Sequence, residues 1–179
     1  MRWILILIAL SLSACSTGYQ TISDLNNPYY RLPVGSTIVL KQALVIAPNR
    51  TRLFLQQGQS MLLEDFDRYE PNCNFEVRSL VDEQQIVNPE TFTITKVEEL
   101  MVEVVQAEQE YGYVTVGLDD SGTPMVSRGY HFWLDSRHHP EVMRLTCRSA
   151  FDDMWNALPP TISEIRQALD EVAELQLAL

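Results

Sequence analysis

TFTITKVEEL, residues 91–100, is the stretch that shows most directly how this chain folds. Phe92 and Ile94 alternate with Thr91, Thr93 and Thr95. Because successive side chains of a β-strand point to opposite faces of the sheet, one face of this stretch is apolar and the other is polar. Such alternation of aromatic, β-branched and polar residues predicts a half-buried strand of an antiparallel sheet.

Segments of the same kind lie on both sides of residues 91–100. They are short, rich in β-branched and aromatic residues, and separated by turn-forming residues, for example at 48–49, 57–58, 71–72, 88–89 and 119–122. The predicted strands are 36–40, 42–47, 51–57, 59–64, 74–80, 91–100, 100–107, 111–118, 124–134 and 141–149. This pattern predicts a mainly β fold, either an antiparallel sandwich or a partly closed barrel.

The end of the chain has a different pattern. Two prolines at 159–160 are followed by Thr161 and, three residues later, by Glu164, which is the spacing of a helix capping box. Apolar residues then fall within one stripe of a helical wheel: Ile162, Ile165, Leu169, Val172 and Ala173. We therefore predict one amphipathic helix over residues 161–177, packed against the sheet, within a single β-rich domain of residues 35–179.

The beginning of the chain predicts export. Arg2 precedes a fully apolar run at residues 3–10, which is far shorter than the roughly 20 residues that span a bilayer. Leu12, Ser13, Ala14 and Cys15 follow, and LSAC resembles the lipobox of bacterial lipoproteins. That resemblance implies a signal peptide at residues 1–14, an acylated Cys15 and a tether over residues 15–34. The alternative is an ordinary secretory signal that a cysteine follows by chance.

Two further cysteines remain if Cys15 is lipidated, and an even number suits an oxidising compartment. Strand alternation places Cys73 with apolar Phe75, and Cys147 with apolar Leu145. We therefore predict a Cys73–Cys147 disulfide between two strands. A catalytic or metal-binding thiol is the alternative, but neither cysteine belongs to a CxxC pair or has a neighbouring histidine.

The charge of the chain restricts its partners. Twenty-four acidic residues against 13 lysines and arginines give a formal net charge of −11 at pH 7. Such a surface repels phosphate backbones and anionic headgroups, so nucleic acid is excluded as a partner and so is membrane binding through the protein face. High solubility explains the charge more simply than an acidic binding patch does.

The densest group of potential metal ligands lies in residues 129–141. His131, Asp135, His138, His139 and Glu141 carry nitrogen and oxygen donors that suit zinc or copper. Their spacing matches no common site, and solvated residues of a hairpin turn explain them equally well. We expect no cofactor, and we interpret His138 and His139 as exposed turn residues.

A second acidic group could supply an acid and a base for catalysis. Glu64, Asp65 and Asp67 are close in sequence, and two carboxyl groups on the wall of a cleft can serve as the general acid and the general base toward a substrate. A surface charge cluster is the simpler interpretation. The chain has no nucleophile elbow, HExxH sequence or glycine-rich phosphate loop, so no constellation predicts an enzyme.

Several stretches between residues 35 and 176 resemble uncharacterised small lipoproteins of gamma-proteobacteria: GSTIVL, TRLFLQQG, YEPNCNFEVRSL, PETFTITKVE and RLTCRSA. The resemblance implies a β domain with a disulfide and carries over no functional residue. With Ser16 after Cys15, it predicts a lipoprotein of the outer membrane on its periplasmic face, anchored through lipid on Cys15. The predicted function is a non-enzymatic envelope accessory, either a binding module or an assembly module, with an envelope protein as the expected partner. The alternatives are a metal-dependent periplasmic enzyme or metal carrier using His131, His138 and His139, and a carrier of an apolar molecule inside the barrel.

Overall fold

The structure is a computed structural model, and it describes residues 24–62, 65–103, 105–107, 114–116 and 125–178. The predicted signal peptide and the first part of the predicted tether, residues 15–23 with Cys15, lie outside these residues, and so does Glu64. Within the described ranges, no helix is long and apolar enough to cross a membrane.

Short antiparallel strands make up most of the described chain. In chain order the elements are β1 Thr37–Leu40, β2 Leu44–Ile46, β3 Arg52–Gln56, β4 Gln59–Met61, β5 Asn72–Val77, β6 Gln85–Val87, β7 Thr91–Glu103, β8 Val105–Ala107, β9 Val114–Val116, β10 Met125–Asp135, β11 Val142–Arg148, β12 Asp152–Asp153, α1 Ile162–Leu169 and β13 Ala173–Gln176.

One large antiparallel sheet forms the body of the molecule, in the order β13-β1-β7-β10-β11-β5-β3-β4, with β12 paired to β10. Two small ribbons, β2-β6 and β8-β9, accompany it. The large sheet curls into a half-barrel, which confirms the mainly β prediction and selects the partly closed barrel over the sandwich. At the start of β7, Phe92 and Ile94 are buried whereas Thr91 and Thr93 are exposed, as their alternation predicts.

The core lies on one face of the sheet. Fully buried side chains from eight strands contribute to it, and Phe75 of β5 contacts Phe92 of β7 with ring centroids 6.1 Å apart. Ile165 and Leu169 of α1 belong to the same cluster. Each such side chain contributes about 1.5–3 kcal/mol through burial. The helix therefore packs against the sheet, as predicted.

The C-terminal helix begins where the capping box predicts. Thr161 Oγ1 accepts a hydrogen bond from the Glu164 backbone N–H at 3.1 Å, and Glu164 Oε2 accepts one from the Thr161 N–H at 2.7 Å. The predicted extent of 161–177 is wrong, because α1 ends at Leu169 after about two turns. Asp170 has a positive φ of 26°, and the chain reverses there.

After this reversal the chain forms β13, which pairs antiparallel with β1. Ala173 and Leu175 are buried whereas Glu174 and Gln176 are exposed, so the segment has the period of a strand. Backbone bonds to β1 replace those that a longer helix would make. Val172 and Ala173 fit the apolar stripe of a helix, which is why the sequence predicted a helix through this segment.

Cys73 and Cys147 form a disulfide, as predicted. They lie directly opposite each other on β5 and β11, with Cα atoms 4.0 Å apart, and neither is exposed. The alternation on β11 differs from the prediction at one place. Met143 is the extra residue of a bulge, so Val142 takes the core position beside Leu145.

Candidate functional site

Strand β5 is buried on both faces, which is unusual for a strand that alternates polar and apolar residues. Its apolar face, with Phe75, belongs to the core. Its polar face carries Asn72, Asn74 and Glu76, which are 2%, 5% and 7% exposed. Buried polar groups require partners, since leaving them unpaired costs free energy. The neighbouring strands supply most of these partners, and together they form the floor of a groove.

Glu76 lies between two arginines in one row across the sheet. Arg52 of β3 and Arg144 of β11 are both its register partners. Arg52 Nη2 donates to Glu76 Oε1 at 2.9 Å, and Arg144 Nε donates to Glu76 Oε2 at 2.6 Å. Burial raises the pKa of Glu76, but the hydrogen bonds and charges of Arg144 and Arg52 outweigh it and lower the pKa below the ordinary value. Glu76 is thus held as a carboxylate.

Trp133 of β10 continues this row beyond Arg144. The Arg144 guanidinium lies 5.4 Å from the centre of the Trp133 ring, and Lys96 lies 5.9 Å from it. The indole N–H donates to Glu98. Cation–π contacts of this kind restrict where a guanidinium can lie. Arg144 is therefore fixed by the carboxylate of Glu76 and by the indole of Trp133.

His131 lies in the next row, beside Thr146 of β11. Its Nδ1 is 2.7 Å from Thr146 Oγ1, so one ring nitrogen is hydrogen-bonded within the sheet. Burial lowers the pKa of His131, and so does the positive charge of Arg144, whereas Glu76 and Glu98 oppose the change in part. We therefore expect a neutral imidazole at neutral pH.

Arg148 lies in the third row, beside Gly129 of β10. A Cβ atom at position 129 would lie 2.9 Å from Arg148 Cγ and 2.2 Å from the Cys147 carbonyl oxygen, so only glycine leaves room there. Arg148 Nε is buried without a hydrogen-bond partner, and Arg148 makes no ion pair with the described residues. Burial lowers the pKa of Arg148, and the charges of Arg52 and Arg68 lower it further.

These rows form the floor of an open groove of about 670 Å³ on the face opposite the core. Among the described lining residues, four arginines stand against the single carboxylate of Glu76, a formal excess of three positive charges with His131 neutral. The arginines are Arg50, Arg52, Arg144 and Arg148. Apolar side chains form the walls: Val45, Phe54, Met61, Leu62, Leu80, Leu100 and Val102. A chain with a net charge of −11 therefore has a strongly positive concave site.

The predicted metal ligands do not come together. His131 lies on the groove floor, whereas His138 and His139 lie between β10 and β11 and each binds a different carboxylate. In the part of the chain that the structure describes, no group of three or more His, Cys, Asp or Glu side chains is placed to hold a metal ion. Asp135 is exposed, and Glu141 binds His139.

The interpretation of both loop histidines as exposed is right for His138 and wrong for His139. The His138 side chain is 80% exposed and the His139 side chain only 12%. His139 Nε2 accepts a hydrogen bond from the Asn88 N–H at 3.1 Å, so Nδ1 carries the proton that it shares with Glu141 Oε1 at 2.7 Å. The β6–β7 turn covers this ring, and local sequence does not reveal such a neighbour.

Asp65 and Asp67 are not among the described residues that line the groove. Asp65 and Asp67 are exposed, and Asp67 Oδ1 accepts a hydrogen bond from the Tyr69 N–H at 2.8 Å. Asp67 therefore stabilises its own turn. The prediction for Glu64 concerns a position outside the described residues.

The groove arginines were missed at the sequence level, although one signal was present. Strand alternation in RLTCR places Arg144, Thr146 and Arg148 on the face opposite Cys147, as a polar stripe next to a core cysteine. Chemically, the arrangement suits binding of an anion better than proton transfer, since Glu76 is held ionised by two arginines.

In comparisons with known proteins, no family model, curated protein or solved structure matches this chain.

Proposed function

We propose that this chain is an outer-membrane lipoprotein that faces the periplasm and serves as a non-enzymatic binding module of the cell envelope. Lipid on Cys15 would hold the domain at the membrane, and the groove would face the solvent beyond it. The observation that carries the binding function is the excess of arginine on the floor of a concave site of about 670 Å³. Ligand sites in proteins are commonly concave and of this size.

Two features of the chain support the location. LSAC at residues 12–15 has the lipobox pattern directly after an apolar run. The Cys73–Cys147 disulfide suits an oxidising compartment, because thiols of cytosolic proteins are kept reduced. The two observations are independent, since one concerns the leader and the other the folded domain.

The groove chemistry supports binding over catalysis. Glu76 is the one carboxylate among the described lining residues, and its two arginine partners disfavour its protonation. A general base needs a pKa near the working pH, and a carboxylate with a lowered pKa is a weak base. His131 is hydrogen-bonded to Thr146 within the sheet. Both groups therefore position side chains of the groove.

The anchoring half of this proposal is tested by Cys15→Ala. We expect the wild type to pellet with outer membranes and to incorporate labelled fatty acid, and the variant to do neither, because the acylated sulfur is gone. Cys73→Ser and Cys147→Ser together serve as the matched control, since these cysteines should not affect labelling. Fatty-acid labelling of the Cys15→Ala variant would refute the anchor.

The binding half is tested by charge reversal in the groove. Envelopes with wild-type protein or with Arg148→Glu are crosslinked, and the captured molecules are compared. We expect a molecule that the wild type captures and the variant does not, while Arg137→Glu, an exposed arginine outside the groove lining, behaves as the wild type. Identical capture by all three proteins would contradict a binding role of the groove.

A further inference from the structure

Arg148 has no ion-pair partner among the described residues, although the chain has an excess of carboxylates. Arg52 and Arg144 share Glu76, whereas Arg148 makes no ion pair and its Nε is buried without a hydrogen bond, within the described residues. A buried unpaired donor of a charged group costs free energy. An anion that bound here would supply the missing acceptor and the missing charge.

The surroundings of Arg148 are apolar on two sides. The side chain of Arg148 lies over Gly129, and Leu100 of β7 is the register partner of Gly129. Strand β7 therefore supplies one apolar wall next to Arg148. On the other side Phe54 and Met61, paired on β3 and β4, supply the second wall. Leu62, Leu80 and Val45 are 55%, 65% and 48% exposed along the same groove. Exposed apolar residues that gather around one concavity indicate a binding site more than scattered ones do.

We propose that the groove binds a small amphiphile with one anionic headgroup, a carboxylate or a phosphate ester. Arg148 binds the headgroup, and the apolar walls contact the chain of the ligand. This assignment rests on the proposed function as a binding module and names its ligand class. A small ligand fits better than a long polyanion, because the described groove lining has an excess of three positive charges while the whole chain carries −11.

Four probes test the ligand class. Dodecanoate, dodecyl phosphate and dodecyltrimethylammonium have similar alkyl chains but different headgroups, and inorganic phosphate is an anionic headgroup without a chain. Each is titrated calorimetrically, below its micelle-forming concentration, into the full chain carrying Cys15→Ala, so that no acyl chain of the protein competes. We expect dodecanoate or dodecyl phosphate to bind more tightly than the cationic amphiphile and than phosphate alone. The tighter of the two anionic probes identifies the headgroup.

Arg148→Gln tests the residue, and Arg137→Gln, an exposed arginine outside the groove lining, is its matched control. Loss of a charged hydrogen bond should weaken binding of the anionic probe by about 10- to 100-fold in the Arg148 variant and leave the control unchanged. Because Arg148 has no described partner to lose, we expect the thermal midpoint of Arg148→Gln to equal or exceed that of the parent protein. A fold-preserving variant is thus available for the comparison.

Three results would overturn the assignment: no binding of either anionic probe, equal binding of the cationic one, or an unchanged affinity in Arg148→Gln. The protein could instead bind no amphiphile and yet capture an envelope protein, with the capture lost when Arg148 is replaced. That result would refute the ligand class and would still support the proposed function as a binding module. Fatty-acid labelling of Cys15→Ala would instead refute the anchor, so the two failures are distinguishable.

Discussion

Glu76 is the residue on which the charge balance of the groove depends. Each of its carboxylate oxygens accepts from a different arginine, and its side chain is only 9% exposed. Arg144 is also largely buried, at 18% exposed, whereas Arg52 is 51% exposed. Removing Glu76 therefore leaves the charge of Arg144 without compensation, which is more costly than losing a surface ion pair. Glu76 therefore contributes to stability and also keeps Arg52 and Arg144 in place.

We predict that Glu76→Gln lowers the free energy of unfolding by about 1.5–3 kcal/mol, because the largely buried Arg144 loses its charged hydrogen bond while the half-exposed Arg52 stays solvated. Urea denaturation followed by circular dichroism measures the change. Glu171→Gln, at an exposed position after α1, is the control and should stay within about 0.5 kcal/mol of the wild type. Similar values for the two variants would show that the carboxylate at 76 is not structurally important.

The two loop histidines should differ in their effect on stability. His139→Ala removes the acceptor of the Asn88 N–H, and it removes a ring whose centroid lies 6.3 Å from that of Phe92. We predict that this lowers the free energy of unfolding by about 1–2 kcal/mol. His138→Ala removes a largely exposed ring and should change the free energy of unfolding by no more than about 0.5 kcal/mol. Thermal unfolding of both variants checks the difference, and equal losses would contradict it.

At the scale of elements, alternation predicts strands well when they are long and one face is apolar. The predicted segments 91–100 and 124–134 correspond to β7 and β10, although β7 continues through the predicted boundary to Glu103. The strand β6 was missed because its three residues directly follow the polar residues 82–84, which hide any apolar pattern. The strand β13 was missed because Ala173, together with Val172 just before the strand, fits the helical stripe that begins at Ile162.

The disulfide is the strongest constraint between elements. Cross-linking residues 74 apart removes loop entropy from the unfolded chain, which corresponds to roughly 4 kcal/mol. We predict that Cys73→Ser with Cys147→Ser lowers the free energy of unfolding by about that amount in chemical denaturation. Intact mass before and after reduction should differ by two hydrogens in the wild type only. Free thiols at both positions in protein from the periplasm would contradict the prediction.

Over the whole molecule, the candidate site depends on which strands are neighbours. Local alternation places Arg144 and Arg148 on one face of β11, but it does not show that β5 and β3 lie next to that strand. Sheet order and register bring residues from widely separated segments into the three rows of the groove. This is why the fold class was predictable from the sequence while the arginine-lined groove was not.

The stability of the whole molecule should decrease in two steps as the pH falls. The pKa of His131 is lowered in the folded state, mainly by burial, so below its ordinary value of 6.5 the unfolded chain binds the proton more readily. The pKa of Glu76 is also lowered: burial raises it, but Arg144 and Arg52 outweigh burial. The stabilisation that Glu76 provides is therefore complete above pH 4.5, its ordinary pKa, and is lost as the pH falls through the lower pKa that Glu76 has in the folded protein.

Urea denaturation at a series of pH values measures both steps. We predict that His131→Gln loses less stability than the wild type between pH 7 and about pH 5.5, and that Glu76→Gln loses less below pH 4.5. Parallel curves for the wild type and both variants would contradict the assignment of the two steps to these residues.

The pairing of Cys73 with Cys147 has a consequence for how reliably the groove forms. A slip of one residue between β5 and β11 would turn Arg144 and Arg148 toward the core and Leu145 toward solvent, because strand side chains alternate with a period of two. The covalent bond makes that slip impossible once it has formed. Formation of the disulfide thus fixes the register between β5 and β11. We expect chains trapped in a reducing cytosol to sample the slipped pairing, which hydrogen exchange at the amides of β11 would detect as reduced protection.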